Sequence, residues 1–281
     1  MIQIITDSAS DITIAEANEL GIHIVPINIE FPDGTCPQET LEDFELFYTR
    51  LTDCDELPTT SQPSPDVYLK IFEEAKSNND DVLVLTLSSG LSGILSAVNI
   101  AKELCDYERI FVLDSHQAIG GQRILTEQAI KLRNLGYDVE AIIPELEQLR
   151  DRITVNGMID TLTYLRKGGR IPPSLAAVGN TLRIKPIIIL EEKVIKMMGK
   201  AMGREAGKKL VYKRFEAHLP DENYPFYFLY TSNRELGIQF MDETIELYPF
   251  LEKLNPRLVP VNGVIGTHIG TNGVGFAYVM K

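Results

Sequence analysis

Short continuous runs of apolar residues alternate with helix-like segments through the first half of this sequence. The runs at residues 3–6, 23–29, 82–87 and 110–113 lack the polar/apolar alternation of a strand with one wet face. Strands of this kind are buried on both faces, which is typical of a parallel sheet covered by helices. The pattern predicts an N-terminal three-layer α/β/α domain with a parallel sheet.

The second half of the sequence has a different pattern. Two strand-like runs, at residues 185–190 and 194–197, flank a Glu-Glu-Lys turn and predict a hairpin. Further strands are predicted at 226–231 and 258–264, with helices at 204–219 and 237–247. Adjacent hairpin strands favour a mixed sheet with helices on one side, so we expect a two-layer C-terminal α/β domain. We place the domains at residues 1–155 and 156–281, and a strong chain break at residues 168–173, which include Pro172 and Pro173.

The charge balance and the cysteines limit the possible partners and compartment. With 27 basic and 40 acidic residues, the net charge of −13 argues against nucleic-acid binding. No apolar run approaches the 18 or so residues of a membrane span, and the first residues lack a basic secretion signal. Cys36, Cys54 and Cys105 are scattered, so we expect reduced thiols in the cytoplasm and no metal site built on them.

Hydroxyl-rich segments follow three of the predicted parallel strands, at residues 6–11, 88–93 and 114–116. Ligands of open parallel sheets bind beyond the carboxyl ends of the strands, so these segments should share one rim. The segment at 59–64 could join them. Helix N-termini and uncharged hydroxyls suit an anion, whereas ordinary helix capping is the alternative, and the pattern leaves both open. Asp7 and Asp114 are expected to orient loop backbone.

Several familiar catalytic motifs are absent or incomplete. The sequence has no phosphate-binding loop, no dinucleotide-binding glycine pattern and no zinc-protease motif, and its four histidines are far apart. A serine hydrolase with Ser92 as nucleophile and His268 as base is an alternative, although the G-x-S-x-G motif is incomplete. A module that binds only proteins is a third possibility and would need no ligand cavity.

Two features of the second half could complete an anion site. The segment at residues 161–170 ends an apparent helix with two glycines and Arg170. His268 lies in a glycine-rich stretch that we interpret as a loop packed close to a ligand or to the other domain. The alternatives are a glycine helix stop with a solvated arginine and a structural histidine.

Taken together, the ordered segments resemble the DegV family. In chain order they are TDS at 6–8 with Asp11, TSQPS at 60–64, LSSGLSG at 87–93, DS at 114–115, TLTYLRKGGRI at 161–171, KP at 185–186, and His268 with Gly270, Gly273 and Gly275. The set spans nearly the whole chain. It implies an N-terminal α/β/α domain and a C-terminal α/β domain with a long-chain fatty acid between them.

The resemblance also implies a function and a set of site residues. Similar proteins are non-catalytic carriers that need no cofactor and present the fatty-acid carboxylate to a separate ATP-dependent kinase related to dihydroxyacetone kinase. The acyl phosphate then enters phospholipid synthesis. Arg204 matches, loosely, a basic residue that faces the kinase. The implied ligand-binding residues are Thr60, Ser61, Ser92, the backbone of Gly93, Arg170 and His268.

The sequence departs from the family pattern at three places. Ile94 stands where a threonine is frequent, which removes one donor and leaves more of the carboxylate to Ser92. The run at 270–273 replaces a Gly-Pro-Gly-like turn, and Ile119 stands where a serine is frequent. None of these changes removes the main set of donors.

Overall fold

The computed structural model describes residues 1–171 and 183–281, so Pro172 and Pro173 of the predicted break lie outside the described residues. A four-stranded parallel sheet with the order β2-β1-β6-β7 forms the centre of the first half. Its strands are β1 (Ile2–Asp7), β2 (His23–Val25), β6 (Asp81–Thr86) and β7 (Ile110–Asp114). The predicted parallel-sheet domain is confirmed.

The predicted strand at residues 23–29 is in fact two strands that belong to different sheets. After β2 the chain leaves the parallel sheet and enters a small antiparallel sheet with the order β4-β3-β5. Its strands are β3 (Asn28–Phe31), β4 (Gly34–Thr35) and β5 (Thr59–Ser61). Alternation in β3, where Ile29 and Phe31 are buried and their neighbours are exposed, marks this sheet as covered on one face.

The helices of the first half cover the parallel sheet. Helix α3 packs on β6 and on α4, α4 packs on β7, and α5 packs on β1 and β6. Thr13 and Thr40 start α1 and α2 with complete capping boxes. The bounds are α1 Ile14–Leu20, α2 Leu41–Asp53, α3 Pro65–Asn78, α4 Ile94–Cys105, α5 Ile119–Asn134 and α6 Val139–Arg150, with a 3-10 turn at Ser8–Ser10.

A six-stranded mixed sheet with the order β10-β9-β8-β13-β11-β12 organises the second half. The pair β11–β12 is parallel and the other neighbours are antiparallel. The strands are β8 Ile153–Met158, β9 Ile184–Glu191, β10 Val194–Met202, β11 Tyr227–Tyr230, β12 Arg257–Pro260 and β13 Val274–Val279. The predicted hairpin and mixed-sheet domain are confirmed. The division at residue 155 stays a prediction; we propose to begin the second domain at Ile153, where β8 starts.

Four helices and a 3-10 segment complete this part of the described chain. They are α7 Thr163–Lys167, α8 Arg204–Ala217, α9 Arg234–Leu247, the 3-10 segment Pro249–Leu254 and α10 Gly263–Ile269. Helices α8 and α9 pack on one face of the sheet around an aromatic cluster that includes Phe215, Phe240 and Phe276. No helix of residues 1–171 and 183–281 is long and apolar enough to cross a membrane.

The strand predicted at residues 258–264 was wrong at its C-terminal end. The loop predicted around His268 was also wrong. Strand β12 stops at Pro260, and Asn262 caps α10 by accepting hydrogen bonds from the backbone N–H groups of Val264 and Ile265. His268 therefore lies in the last turn of a buried helix.

Helix α5 lies between the two large sheets. A Cβ on Gly120 would come within 2.7 Å of the Ala277 side chain, and one on Gly121 within 2.7 Å of Val155. The two glycines let the first turn of α5 rest directly on β8 and β13. A cavity lies next to the start of α5, lined by Ala118 and Ile119 together with residues of β8, β9, β11 and β13.

Candidate functional site

A cavity of about 240 Å³ lies between the two large sheets. Most of the side chains that line it are aliphatic, and among the described residues no Asp, Glu or Lys lines it. The aliphatic wall draws on several elements and includes Leu91, Ile188, Leu190, Ile195, Leu229 and Val264. A cavity of this composition suits an elongated apolar ligand.

One row of residues across the second sheet forms the floor of this cavity. Ile188, Gly157, Gly275 and Leu229 are direct neighbours on β9, β8, β13 and β11. Val155, two residues before Gly157, packs against Gly121 of α5, and alternation along the strand puts Gly157 on the same face. Glycine is required at both positions because the backbones of β8 and β13 approach closely here, and a Cβ on either residue would collide with the backbone of the paired strand.

Five of the six predicted ligand-binding residues line the cavity, and they are Thr60, Ser92, Gly93, Arg170 and His268. Ser61 is exposed and is not among the lining residues. Successive residues of a strand face opposite ways, so β5 directs Thr60 inward and Ser61 outward.

A hydrogen bond joins Thr60 to His268, with 3.1 Å between Thr60 Oγ1 and His268 Nε2. Burial, and then the nearby positive charge of Arg170, lower the pKa of His268 to about 4. The ring is therefore neutral at pH 7 and carries one N–H. Its other nitrogen, Nδ1, is buried without a hydrogen-bond partner among the described residues, beside Gly168.

The first half of the 88–93 loop is occupied by structural contacts. Ser88 Oγ donates a 2.8 Å hydrogen bond to the carbonyl of Lys193 in the β9–β10 turn. The backbone of Gly90 lies so close to this carbonyl that a Cβ would come within 2.4 Å of its oxygen. Ser89 donates to Asp114 from both its backbone N–H and its hydroxyl. The ligand-facing part of the loop is therefore its end, Ser92 and Gly93.

The end of the loop retains free donors. Among the described residues, Ser92 Oγ accepts only a long 3.4 Å hydrogen bond from Ile94 N, and its O–H has no acceptor there. Gly93 precedes the first turn of α4, a helix of 12 residues whose N-terminus has no side-chain cap. Backbone N–H groups at such a position carry partial positive charge and favour an anion.

Two carboxylates orient this rim, as predicted: Asp7, which is buried, and Asp114, which is partly buried. Asp7 Oδ2 accepts from Leu87 N at 2.7 Å and Oδ1 from Ala9 N at 3.1 Å. Burial raises the pKa of Asp7 to about 6. Burial opposes ionisation of Asp114, but hydrogen bonds from Ser89 and Lys193 lower the pKa of Asp114 below its ordinary value. Neither carboxylate lines the cavity.

Arg170 is the one charged side chain of the described residues that lines the cavity. It follows the two glycines that end α7, and Gly169 has the left-handed φ of +70°. Its Nε donates to the carbonyl of Leu91 at 3.2 Å, which ties α7 to the 88–93 loop. Arg204, the looser match, is instead engaged with Asp160 and the carbonyl of Asn272 and does not line the cavity.

Gln62, to which the sequence pattern assigns no role, also lines the cavity. Its carboxamide lies against Gly93, at the start of α4. Gln62 belongs to the hydroxyl-rich segment at 59–64. Because the three-residue strand before it was not predicted, nothing in the sequence indicates the direction of its side chain. The aliphatic wall was missed because it depends on pairing between distant strands.

The geometry disfavours the hydrolase alternative. His268 Nε2 is hydrogen-bonded to Thr60, and no hydrogen bond joins Ser92 to His268 among the described residues. Without a carboxylate in that part of the cavity lining, the histidine also lacks the third member of a triad. Residues 1–171 and 183–281 contain no cluster of metal-ligating side chains.

Fold and site together define a class: a two-domain α/β protein with a mostly aliphatic cavity between its sheets, where Thr60, Ser92, His268 and Arg170 supply polar groups. The chain belongs to the DegV family, because the family model described as "Uncharacterised protein, DegV family" matches residues 1–281. Protein DegV of Bacillus subtilis (strain 168) is 29% identical to it, and the alignment covers 100% of this chain and 99% of that protein.

Solved structures support the same assignment. A DegV family protein from Thermus thermophilus, described as fatty acid binding, superposes with a TM-score of 0.86 at 28% identity, covering 99% of each chain. DegV from Bacillus subtilis, described as a fatty acid binding protein, gives a TM-score of 0.82 at 27% identity, covering 100% of this chain and 99% of that one.

Proposed function

We propose that this protein binds one long-chain fatty acid, with the acyl chain in the aliphatic cavity and the carboxylate at Thr60, Ser92 and the Gly93 backbone. The observation that carries the proposal is the asymmetry of the cavity, which is aliphatic over most of its wall and brings Thr60, Ser92, Arg170 and His268 together at one place. Two relatives described as fatty acid binding share the fold over nearly their full length.

The energetics suit such a ligand. Each buried CH₂ contributes about 0.8 kcal/mol, so a long acyl chain gains substantial affinity without any charge. A carboxylate taken out of water needs several hydrogen bonds, and Ser92, Thr60 and the first N–H groups of α4 supply them. Arg170 adds a positive charge that offsets the acidic background of the chain, whose net charge is −13.

The neutral imidazole of His268 fixes the role of Thr60 in this proposal. If Nε2 carries the proton, it donates to Thr60 Oγ1, and the threonine O–H is free to donate to the carboxylate. In the other tautomer the threonine O–H donates to Nε2, so Thr60 Oγ1 would present only a lone pair to the carboxylate. A bound carboxylate therefore favours the Nε2–H tautomer. Ser61, whose side chain is exposed, supports Thr60 through pairing of the β5 backbone with Asn28.

The chain acts, in this proposal, as a non-catalytic carrier for a separate ATP-dependent kinase. A carboxylate oxygen of the bound fatty acid would attack the γ-phosphorus of ATP on the kinase, releasing ADP and forming an acyl phosphate for phospholipid synthesis. Gln62 and Gly93 are exposed at the polar end of the cavity, so a partner can approach there. The sequence carries no phosphate-binding loop of its own. The three free cysteines suit a cytoplasmic location.

Calorimetric titration of the delipidated protein with oleate tests the binding proposal. We expect saturation near one oleate per chain, and strong weakening in the Thr60→Ala, Ser92→Ala double variant with an unchanged melting temperature. Unaltered affinity in the folded double variant would refute the head-group assignment. The carrier role is tested by acyl-phosphate formation, which should require this protein, ATP and a dihydroxyacetone-kinase-like subunit together.

A further inference from the structure

Gln62 lies at the mouth of the cavity, between two of the proposed carboxylate contacts. It directly follows β5, which carries Thr60, and its side-chain amide packs on Gly93 at the start of α4. A Cβ at Gly93 would come within 2.2 Å of Gln62 Oε1. The absence of a side chain at Gly93 is what lets the amide occupy this position.

The amide of Gln62 has no hydrogen-bond partner within residues 1–171 and 183–281, although it lines the cavity. A glutamine side chain carries two N–H donors and one carbonyl acceptor, and rotation of its last torsion presents either group. Thr60, Ser92 and Gly93 at the α4 N-terminus line the same cavity as Gln62. An ionised carboxylate accepts hydrogen bonds only, so it would take the N–H side of this amide.

We propose that Gln62 is a specificity-determining residue, which donates an amide hydrogen bond to the ligand head group and selects an ionised carboxylate over a neutral polar end. This inference rests on the proposed function. It adds one contact, which determines whether the bound lipid ends in a carboxylate or in a neutral group. Arg170 supplies positive charge but is held by the carbonyl of Leu91, whereas Gln62 is unengaged among the described residues and can reorient. The amide also covers the exposed side of Gly93.

The substitution Gln62→Glu tests this role, because it keeps the shape and replaces the donor by an anion. Oleate would then face a like charge, whereas oleyl alcohol, with the same chain, can donate its O–H to the new carboxylate. We expect Gln62→Glu to weaken oleate binding at least about tenfold and to leave oleyl alcohol binding within about twofold of wild type. The ratio of the two dissociation constants is the readout.

Gln148→Glu is the matched control, since this exposed glutamine on α6 gives the same change in net charge away from the cavity. It should leave both affinities unchanged. Equal effects of Gln62→Glu on acid and alcohol, or no effect on oleate, would overturn the proposal. If Gln62→Glu does not fold, Gln62→Leu replaces it, and an unchanged acid-to-alcohol ratio in that variant overturns the proposal equally. Failure of the wild type to bind oleate would instead refute the proposed function itself.

Discussion

Thr60 and His268, 208 residues apart in the sequence, are joined by a 3.1 Å hydrogen bond that links β5 to α10 at the polar end of the cavity. Because the pKa of His268 is lowered to about 4, the ring stays neutral over the physiological range. The pair therefore provides a fixed, uncharged donor, and Arg170 provides the only positive charge of the described cavity lining.

Replacing Thr60 by valine removes the hydroxyl and keeps the β-branched shape. A hydrogen bond to a charged group contributes about 1.5–3 kcal/mol, so we expect oleate affinity to fall by about tenfold or more, with the fold retained. Thr59→Val is the control, because Thr59 belongs to the same strand and is exposed. Titration calorimetry on both variants measures the effect, and equal affinities would contradict it.

The serines of the 88–93 loop should separate into two roles. Ser92→Ala is expected to weaken oleate binding about tenfold with little change in stability, since its O–H has no described acceptor. Ser88→Ala removes the contact to Lys193 and should lower the free energy of unfolding by about 1 kcal/mol. Urea denaturation together with ligand titration distinguishes them. Weaker oleate binding in Ser88→Ala, with a loss of stability but not of binding in Ser92→Ala, would contradict these two roles.

Burial raises the pKa of Asp11 to about 8, which predicts a pH dependence of stability. The folded state keeps a proton that the unfolded state releases above its pKa of 3.8, so the contribution of Asp11 to stability falls as the pH rises from about 4 to about 8. The variant Asp11→Asn cannot ionise at this position. It keeps an oxygen that can accept the hydrogen bond from the backbone N–H of Asn262, the residue that caps α10.

Urea denaturation between pH 4 and 8 tests this dependence. The stability of wild type relative to Asp11→Asn should decline across that range and level off above it. The exposed Asp55→Asn is the control and should follow the wild-type profile. A constant difference between wild type and Asp11→Asn would show that Asp11 ionises normally in the folded protein.

Ile187 and Ile188 are adjacent on β9 but face opposite sides of the sheet. Ile188 lines the cavity floor beside Gly157, whereas Ile187 is fully buried in the aromatic cluster. Both changes to alanine remove volume, and the buried Ile187→Ala should cost about 2–5 kcal/mol of stability. Only Ile188→Ala should shift the preferred acyl chain, toward longer or branched acids. Competition between C14, C16 and C18 acids measures the shift, and the same shift in both variants would refute the assignment.

The parallel sheet and the β9–β10 hairpin could be predicted because continuous apolar runs and a charged turn mark them locally. Strand β13 and helix α10 could not, since the glycine-rich stretch that contains both has little apolar periodicity. The floor pair Gly157 and Gly275 lies 118 positions apart and becomes meaningful only through strand pairing. Likewise, the outward direction of Ser61 follows from the three-residue strand β5, which is too short to recognise from its composition.

Lipid extraction tests the central claim most directly. The wild-type protein, purified from bacteria and extracted into organic solvent, should release close to one long-chain fatty acid per chain, identified and quantified by mass spectrometry. The Thr60→Val, Ser92→Ala double variant should release far less while remaining folded. Absence of stoichiometric fatty acid from the wild type, even after incubation with C14 to C18 acids, would contradict the account.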